Sequence, residues 1–253
     1  MQNLIKLTYF EIKQMLRYWL VVGLIFLLST LFFVVKFLIR NNRAPQPIPP
    51  QSMYGNIISV GAILGILAMV IACFIIWYKD WNGASHMITR WLSAPLKRSD
   101  LYWAKKLSLI YYFMVMLALV FFTVYFYHLM FSLFLGKSYL SETPIHLIFH
   151  FNSLFSSFLT NHWLLSILQI LAWLSLIAYF FLGILIERAY SWWQALIYIA
   201  VVLLIIVGCW NIPGLFKIPA YFNLQIPLLI ACIVIGVLAD WIANHLVMPK
   251  IHI

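Results

Sequence analysis

Residues 54–78 read YGNIISVGAILGILAMVIACFIIWY, a run with no Asp, Glu, Lys, Arg, His or Pro. About 20 apolar residues in a helix suffice to cross the hydrocarbon of a bilayer, so this run is long enough to span it. Apolar side chains follow one another without alternation, which argues against a barrel strand. A helix, unlike an open strand, pairs all of its backbone groups inside lipid. Five further stretches read the same way: 19–39, 108–132, 163–186, 191–210 and 224–246. They predict an all-α polytopic membrane protein with six transmembrane helices, forming one transmembrane domain over 1–253. None of the intervening pieces is long enough to fold as a separate soluble domain.

Composition agrees. The chain is 65% hydrophobic and 9% charged, against about 25% charged in an ordinary soluble domain. A soluble globular enzyme and a disordered chain are both excluded on that ground. Cys73, Cys209 and Cys232 are an odd number set in apolar runs, which does not suit a disulfide scaffold. The first apolar run is too long for the core of a signal peptide and no small-residue cleavage site follows it. It is therefore expected to remain as a span.

The net charge of +10 comes from 16 basic and 6 acidic residues. Its distribution points to topology rather than to nucleic acid. With the N-terminus inside, Lys79, Arg90, Lys97, Arg98, Lys105 and Lys106 all fall in one inner loop, 79–107. Lys6, Lys13, Arg17, Arg188 and Lys250 join them on that side, and only Lys36, Arg40, Arg43, Lys137 and Lys217 lie outside. The bias follows the positive-inside rule and places both termini in the cytoplasm, with the basic side in contact with anionic membrane lipid.

The segments between spans have their own patterns. Over 3–17, Ile5, Tyr9, Ile12 and Leu16 recur near helical spacing among Lys6, Lys13 and Arg17. That predicts an interfacial helix in the head-group plane, the alternative being a frayed tail. Residues 40–52 hold Pro45, Pro47, Pro49 and Pro50 and read as a stiff extended connector. Over 133–162, Thr143-Pro144 suits a helix start, and Leu147, Phe151, Leu154, Phe155 and Phe158 make one apolar stripe. This predicts an amphipathic segment on the outer face. His146 and His150 stand at i, i+4, but no further ligand accompanies them and a zinc site wants three or four, so no metal is expected. Glu187–Tyr190 is a tight turn that should leave the flanking spans antiparallel.

Candidate chemistry is sparse. Gly61 and Gly65 form a Gly-x-x-x-Gly pair suited to close helix packing. Asp240 is the one carboxylate within an expected span, a candidate intramembrane charge. No phosphate-binding Gly-x-x-x-x-Gly-Lys-Ser/Thr loop and no protease motif is present. The most informative stretch is KDWNGASHMITRWLSAPLKRSDLYWAKK, residues 79–106. Gly83 should end the second span. A short helix over 85–93 would carry Met87, Ile88, Trp91 and Leu92 on one side, and Pro95 would close it. Ser99 and Asp100 suit the start of the next helix, which carries Lys105 and Lys106 into the third span. Such an elbow suits docking into a groove of another protein. It equally suits an ordinary interfacial loop with Trp91 and Trp103 at the head groups.

This loop resembles the cytoplasmic loop of ABC-2 type transporter permeases. Asp80, Gly83, Ser93-Ala94-Pro95, Arg98 and Ala104-Lys105 stand where that family has an acid, a glycine, a Ser-x-Pro, a base and a lysine-bearing helix. Asp80-Trp81-Asn82 departs from the glutamate-rich approach more usual there. The resemblance implies a non-catalytic permease subunit of an ABC exporter in a bacterial plasma membrane. ATP and Mg would be bound by a separate cytoplasmic ABC ATPase, and a second permease copy or paralogue would complete a dimer. It makes 85–93 a coupling helix, with Gly83, His86, Met87, Arg90, Trp91, Pro95 and Arg98 meeting the ATPase. It nominates Asn56, Ser59, Trp192, Gln194 and Tyr198 along the substrate path. Walls of that chemistry suit a hydrophobic or amphipathic peptide or lipid-like cargo, and the small size resembles bacterial peptide exporters of the phenol-soluble modulin type. The competing expectation is a secondary transporter, or another standalone membrane protein, working without ATP and dependent on Asp240.

Overall fold

A computed structural model describes residues 2–43, 50–82, 97–134, 163–202 and 225–251. Within them every long element is a helix: α1 Gln2–Arg43, α2 Pro50–Asn82, α3 Arg98–Phe134, α4 Trp163–Ala189, α5 Trp192–Val202 and α6 Gln225–Ile242. Five of these, α1 to α4 and α6 with its trailing turns, are long and apolar enough to cross a membrane. The chain is thus all-helical in its described residues and multi-pass by the length and composition of its helices. Exposed side chains such as Leu24, Leu28, Phe32, Phe122 and Val237 are what a lipid-facing surface requires and a water-facing one avoids.

Several element limits differ from expectation. The turn expected near residue 18, between an interfacial helix 3–17 and the first span, is absent, because α1 runs without interruption from Gln2 to Arg43. No Pro or Gly occurs before Gly23, and a break in apolar surroundings would leave peptide groups unpaired. Residues 44–49 lie outside the described residues, and both ends of the expected connector 40–52 are helical, since α1 includes Arg43 and α2 begins at Pro50. Proline tolerates that first helical position, where no intrahelical N–H bond is owed. Likewise α3 begins at Arg98, so Ser99 lies inside the first turn instead of capping it. The Asp100 amide donates to the Lys97 carbonyl at 2.9 Å, and its carboxylate sits in the first turn, as the helix dipole favours. Of the expected span 191–210, α5 is described as far as Val202. The amphipathic segment 133–162 lies outside the described residues except for the end of α3, and so does the coupling helix 85–93 in full.

The helices gather into two compact units. The first comprises 1–13, 70–109 and 167–253. Its core holds Trp77, Tyr102 and Phe181, all at 0% exposure. The Phe181 ring meets Trp77 at 5.5 Å and Tyr102 at 5.6 Å between centroids, edge to face in both cases, a geometry aromatic quadrupoles favour. The α4–α5 turn is tight: the Tyr190 amide donates to the Ile186 carbonyl at 3.0 Å, and α5 starts two residues later. A Cβ on Gly183 would lie 3.4 Å from the Tyr198 ring, so α4 and α5 pack closely as expected.

The second unit comprises 14–69 and 110–166. Phe26, Tyr54, Ile58 and Val124 are fully buried there. Trp19 stacks on Tyr112 at 5.0 Å. The Tyr18 hydroxyl donates to the Ala68 carbonyl at 2.9 Å, and the Tyr54 hydroxyl meets His128 Nδ1 at 3.2 Å.

Close glycine packing falls only partly where the sequence placed it. A Cβ on Gly61 would come within 2.9 Å of Val120 and Phe26 side-chain atoms, whereas one on Gly65 would meet nothing within 4 Å. Gly65 therefore makes no close approach to another described residue. Among the described glycines the tightest contact is that of Gly236 of α6, whose Cβ would stand 2.5 Å from Ser175 Cβ and 3.3 Å from its Cα. Helix α6 terminates in a π-type turn, Ala243–Val247, with the Met248 amide donating to the Ala243 carbonyl. There the Asn244 side-chain amide donates to the Asp240 carbonyl at 2.9 Å, a side-chain bond of the kind that competes with the backbone ladder.

Gly236→Leu should destabilise the protein by about 1–3 kcal/mol, because Ser175 backbone leaves no room for the added atoms. Gly65→Ala should be neutral or gain up to about 1 kcal/mol. Thermal unfolding of the two variants in detergent, followed by helical circular dichroism, measures the difference.

Candidate functional site

Residues of the first unit build a set of buried charges around the start of α3. Lys105 lies two turns into that helix and has no exposed surface. Its ammonium donates to Glu11 Oε1 of α1 at 2.9 Å, to the Ile76 carbonyl of α2 at 2.9 Å, and to Asp80 Oδ2 of α2. Three N–H donors therefore meet three acceptors, and both carboxylate side chains are under 5% exposed. The Trp77 ring adds a cationic contact, with Nζ 5.1 Å from its centroid. Removing an ion from water costs several kcal/mol even after relaxation, and only complete pairing offsets that cost.

Helical geometry explains why Glu11 points inward. Leu7, Glu11, Met15 and Trp19 recur every four residues and are all buried, one stripe of α1. The stripe the sequence singled out, Ile5, Tyr9, Ile12 and Leu16, is turned the other way: Ile5 and Tyr9 are about two thirds exposed, at 68% and 67%. The exposed side of this part of α1 also carries Lys6, Lys13 and Arg17, so the buried stripe is apolar apart from Glu11.

The neighbouring Lys106 donates to Asp240 Oδ2 of α6, and the Tyr102 hydroxyl donates to Asp240 Oδ1 at 2.5 Å. Both carboxylate oxygens of Asp240 are thus occupied and its charge is matched. On α4, Glu187 accepts from the Tyr78 hydroxyl. The guanidinium of Arg188 lies 4.7 Å from the Tyr78 ring and 4.9 Å from that of Trp81. Arg98 Nη1 donates to the carbonyls of Met248, Pro249 and Ile251 at 3.1–3.3 Å, where a cation complements the negative end of a helix. Lys250 Nζ donates to the Tyr190 hydroxyl at 2.9 Å, tying the end of α6 to the α4–α5 turn.

Of the nominated partner-binding residues, Gly83, His86, Met87, Arg90, Trp91 and Pro95 lie outside the described residues. Arg98 is described, and it is engaged with the chain's own C-terminal turn. Among the path residues, Ser59 is half-buried in the second unit, and Asn56 lies on α2, with its side chain outside the described set. In the first unit, Trp192 and Gln194 are exposed and Tyr198 lies against Gly183. Trp192 contacts the Trp193 ring at 4.1 Å. Sequence reading did not single out Glu11, Tyr102, Lys106 or Glu187 as site residues. One signal was available: Glu11 is the only acidic residue before Asp80, and a lone acid in so apolar a chain needs a partner.

Chemically, these groups hold elements together. None of the arrangements presents a nucleophile activated by a base. Comparison with protein-family models, with curated proteins and with solved structures returns no match for the chain.

Lys105→Met should leave Glu11 and Asp80 buried without a cation and cost about 3–5 kcal/mol. Glu11→Gln should cost less, about 1–2 kcal/mol, since its amide oxygen still accepts and the Lys105–Asp80 pair stays neutral. Urea or thermal unfolding of the detergent-solubilised variants checks the order.

Proposed function

We propose that this chain is the membrane-spanning permease subunit of an ATP-driven exporter, working with a separate cytoplasmic ATPase and a second permease copy or paralogue. The observation that carries the reading is the tie between the two ends of the basic loop. Asp80 lies in the last turn of α2 and Lys105 two turns into α3, and they pair in a buried site, so the two helices that flank the basic loop are tied together near its base. A loop so anchored is suited to transmit a push from a partner into two long helices as rigid bodies. The same two residues are the acid and the lysine on which the resemblance to ABC-2 permeases rests.

Six crossings fit this reading. Lys250 returns to Tyr190, so the stretch from the α4–α5 turn to the end of α6 begins and finishes at one place. The short apolar helix α5, Trp192–Val202, would then begin a sixth crossing. Both termini, the basic loop and the α4–α5 turn then share the cytoplasmic side of a bacterial plasma membrane, as the positive-inside bias requires. ATP-driven closure of the partner pair would pull the loop and shift the helices between inward- and outward-open states, which the cargo must bind unequally. The apolar and aromatic helices favour a hydrophobic or amphipathic peptide or lipid-like cargo. Because Asp240 is already matched by Lys106 and Tyr102, a free ion-coupling carboxylate is the weaker reading.

Affinity-tagged chain recovered from native membranes should bring down vanadate-sensitive ATPase activity. Trp91→Ala should weaken that association by about 2 kcal/mol, roughly 30-fold, as loss of an interfacial tryptophan does. Asp240→Asn should retain transport. Undiminished ATPase recovery with Trp91→Ala, or transport by the chain alone in liposomes lacking any ATPase, would overturn the proposal.

A further inference from the structure

The buried charges around Lys105 do not balance. One ammonium meets two carboxyl groups, those of Glu11 and Asp80, whose side chains are 3% and 4% exposed. With both acids ionised the site would carry one uncompensated negative charge. Like charges in one site oppose joint ionisation, and an unmatched charge away from water is costly. Lys79 also lies within electrostatic reach of Glu11. It is exposed, and among the described residues it forms no ion pair with either acid, so solvent screens what it contributes. The Lys105 ammonium has no donor left, since its three N–H groups are taken by Glu11, the Ile76 carbonyl and Asp80. Glu11 accepts through Oε1. A proton on Oε2 would leave that bond in place and make the whole site neutral.

The site also stands where such a proton can exchange with water. Residues 18–35 of α1 carry no charged side chain and rise about 27 Å as a helix, close to the thickness of the hydrocarbon. Glu11 precedes that stretch by seven positions, about 10 Å along the helix, among the exposed Lys6, Lys13 and Arg17.

We propose that Glu11, Asp80 and Lys105 form a proton-binding site: one proton taken from water and held on Glu11 completes their charge balance, and it makes the docking of the first turns of α1 onto α2 and α3 dependent on pH. The site is the same whether or not the chain is a permease. A free glutamate releases its proton above about pH 4.3, whereas the assembled site keeps one, so assembly takes up a proton and is favoured less as pH rises. Once the proton leaves, Asp80 opposes the hold of Glu11 on Lys105.

Infrared spectroscopy of the full-length protein, in a detergent without ester groups, reads the carbonyl stretch of a neutral carboxylic acid. At about pH 7 the parent should show this band, shifted in D2O, and Glu11→Gln should lack it. Asp80→Asn should lack it too, because Glu11 then ionises against Lys105 with no second acid beside it. Asp240→Asn, which alters the other buried acid, should keep it. Circular dichroism confirms that helix content is kept in each variant. In parallel, the thermal midpoint of the parent should fall relative to that of Glu11→Gln as pH is raised from about 6 to about 9. A parent without the band, or a band that survives Glu11→Gln, overturns the proton site. A band lost in Glu11→Gln but kept in Asp80→Asn shows that burial alone protonates Glu11 and overturns the shared charge balance. A midpoint difference that does not change with pH overturns the pH-dependent docking.

Discussion

A single ammonium group, that of Lys105, has no contact with solvent and is held by two carboxylates and one backbone carbonyl. Everything near it is constrained by the cost of leaving such a charge unmatched. The Glu11 side of α1, the last turns of α2 and the first turns of α3 must meet at one point, because the ammonium and both carboxylates are buried from bulk solvent. Lys106 repeats the logic one residue further on with Asp240 and Tyr102, and so adds α6. Four of the six acidic residues in the chain, Glu11, Asp80, Glu187 and Asp240, are consumed in contacts of this kind within one unit. The surplus cations, among them Lys6, Lys13, Lys79 and Lys97, are left on the surface, where anionic head groups can meet them.

In α1 the exposed side bears Ile5, Tyr9 and Leu16 together with Lys6, Lys13 and Arg17, while the buried stripe Leu7, Met15 and Trp19 includes the single acid Glu11. Close packing departs from expectation. A Gly-x-x-x-Gly spacing at Gly61 and Gly65 is recognisable by eye, yet among the described residues nothing comes near Gly65, and the tightest approach is made by the isolated Gly236 against Ser175. Spacing within one helix says that a smooth face exists. Which neighbour uses it depends on how the helices are brought together.

On the permease reading proposed above, the tie between the last turn of α2 and the second turn of α3 is the contact that would let the two helices move as a body. The arrangement at Asp240 bears on the alternative, since a carboxylate with both oxygens taken by Tyr102 and Lys106 is better placed to hold α6 than to carry an ion. Arg98, set by resemblance at the partner face, donates from Nη1 to the carbonyls of Met248 and Ile251 in the C-terminal turn. The C-terminal turn is thereby fastened to the start of α3.

Class and helical content were legible from the residues alone, since the free energy of moving a side chain into hydrocarbon is a local quantity that adds up along a run such as 54–78. For the same reason the apolar runs located α2, α3, α4 and α6, while polar helical ends such as 98–107 extended beyond them. The pairing of charges was not legible in this way. Asp80 and Lys105 are 25 positions apart, Glu11 and Lys105 94, and Lys106 and Asp240 134. Nothing local to any of these residues names its partner. Only the tertiary structure decided those pairs, because an ion pair's energy depends on distance in space and on the exclusion of water, and both arise only once the helices are assembled.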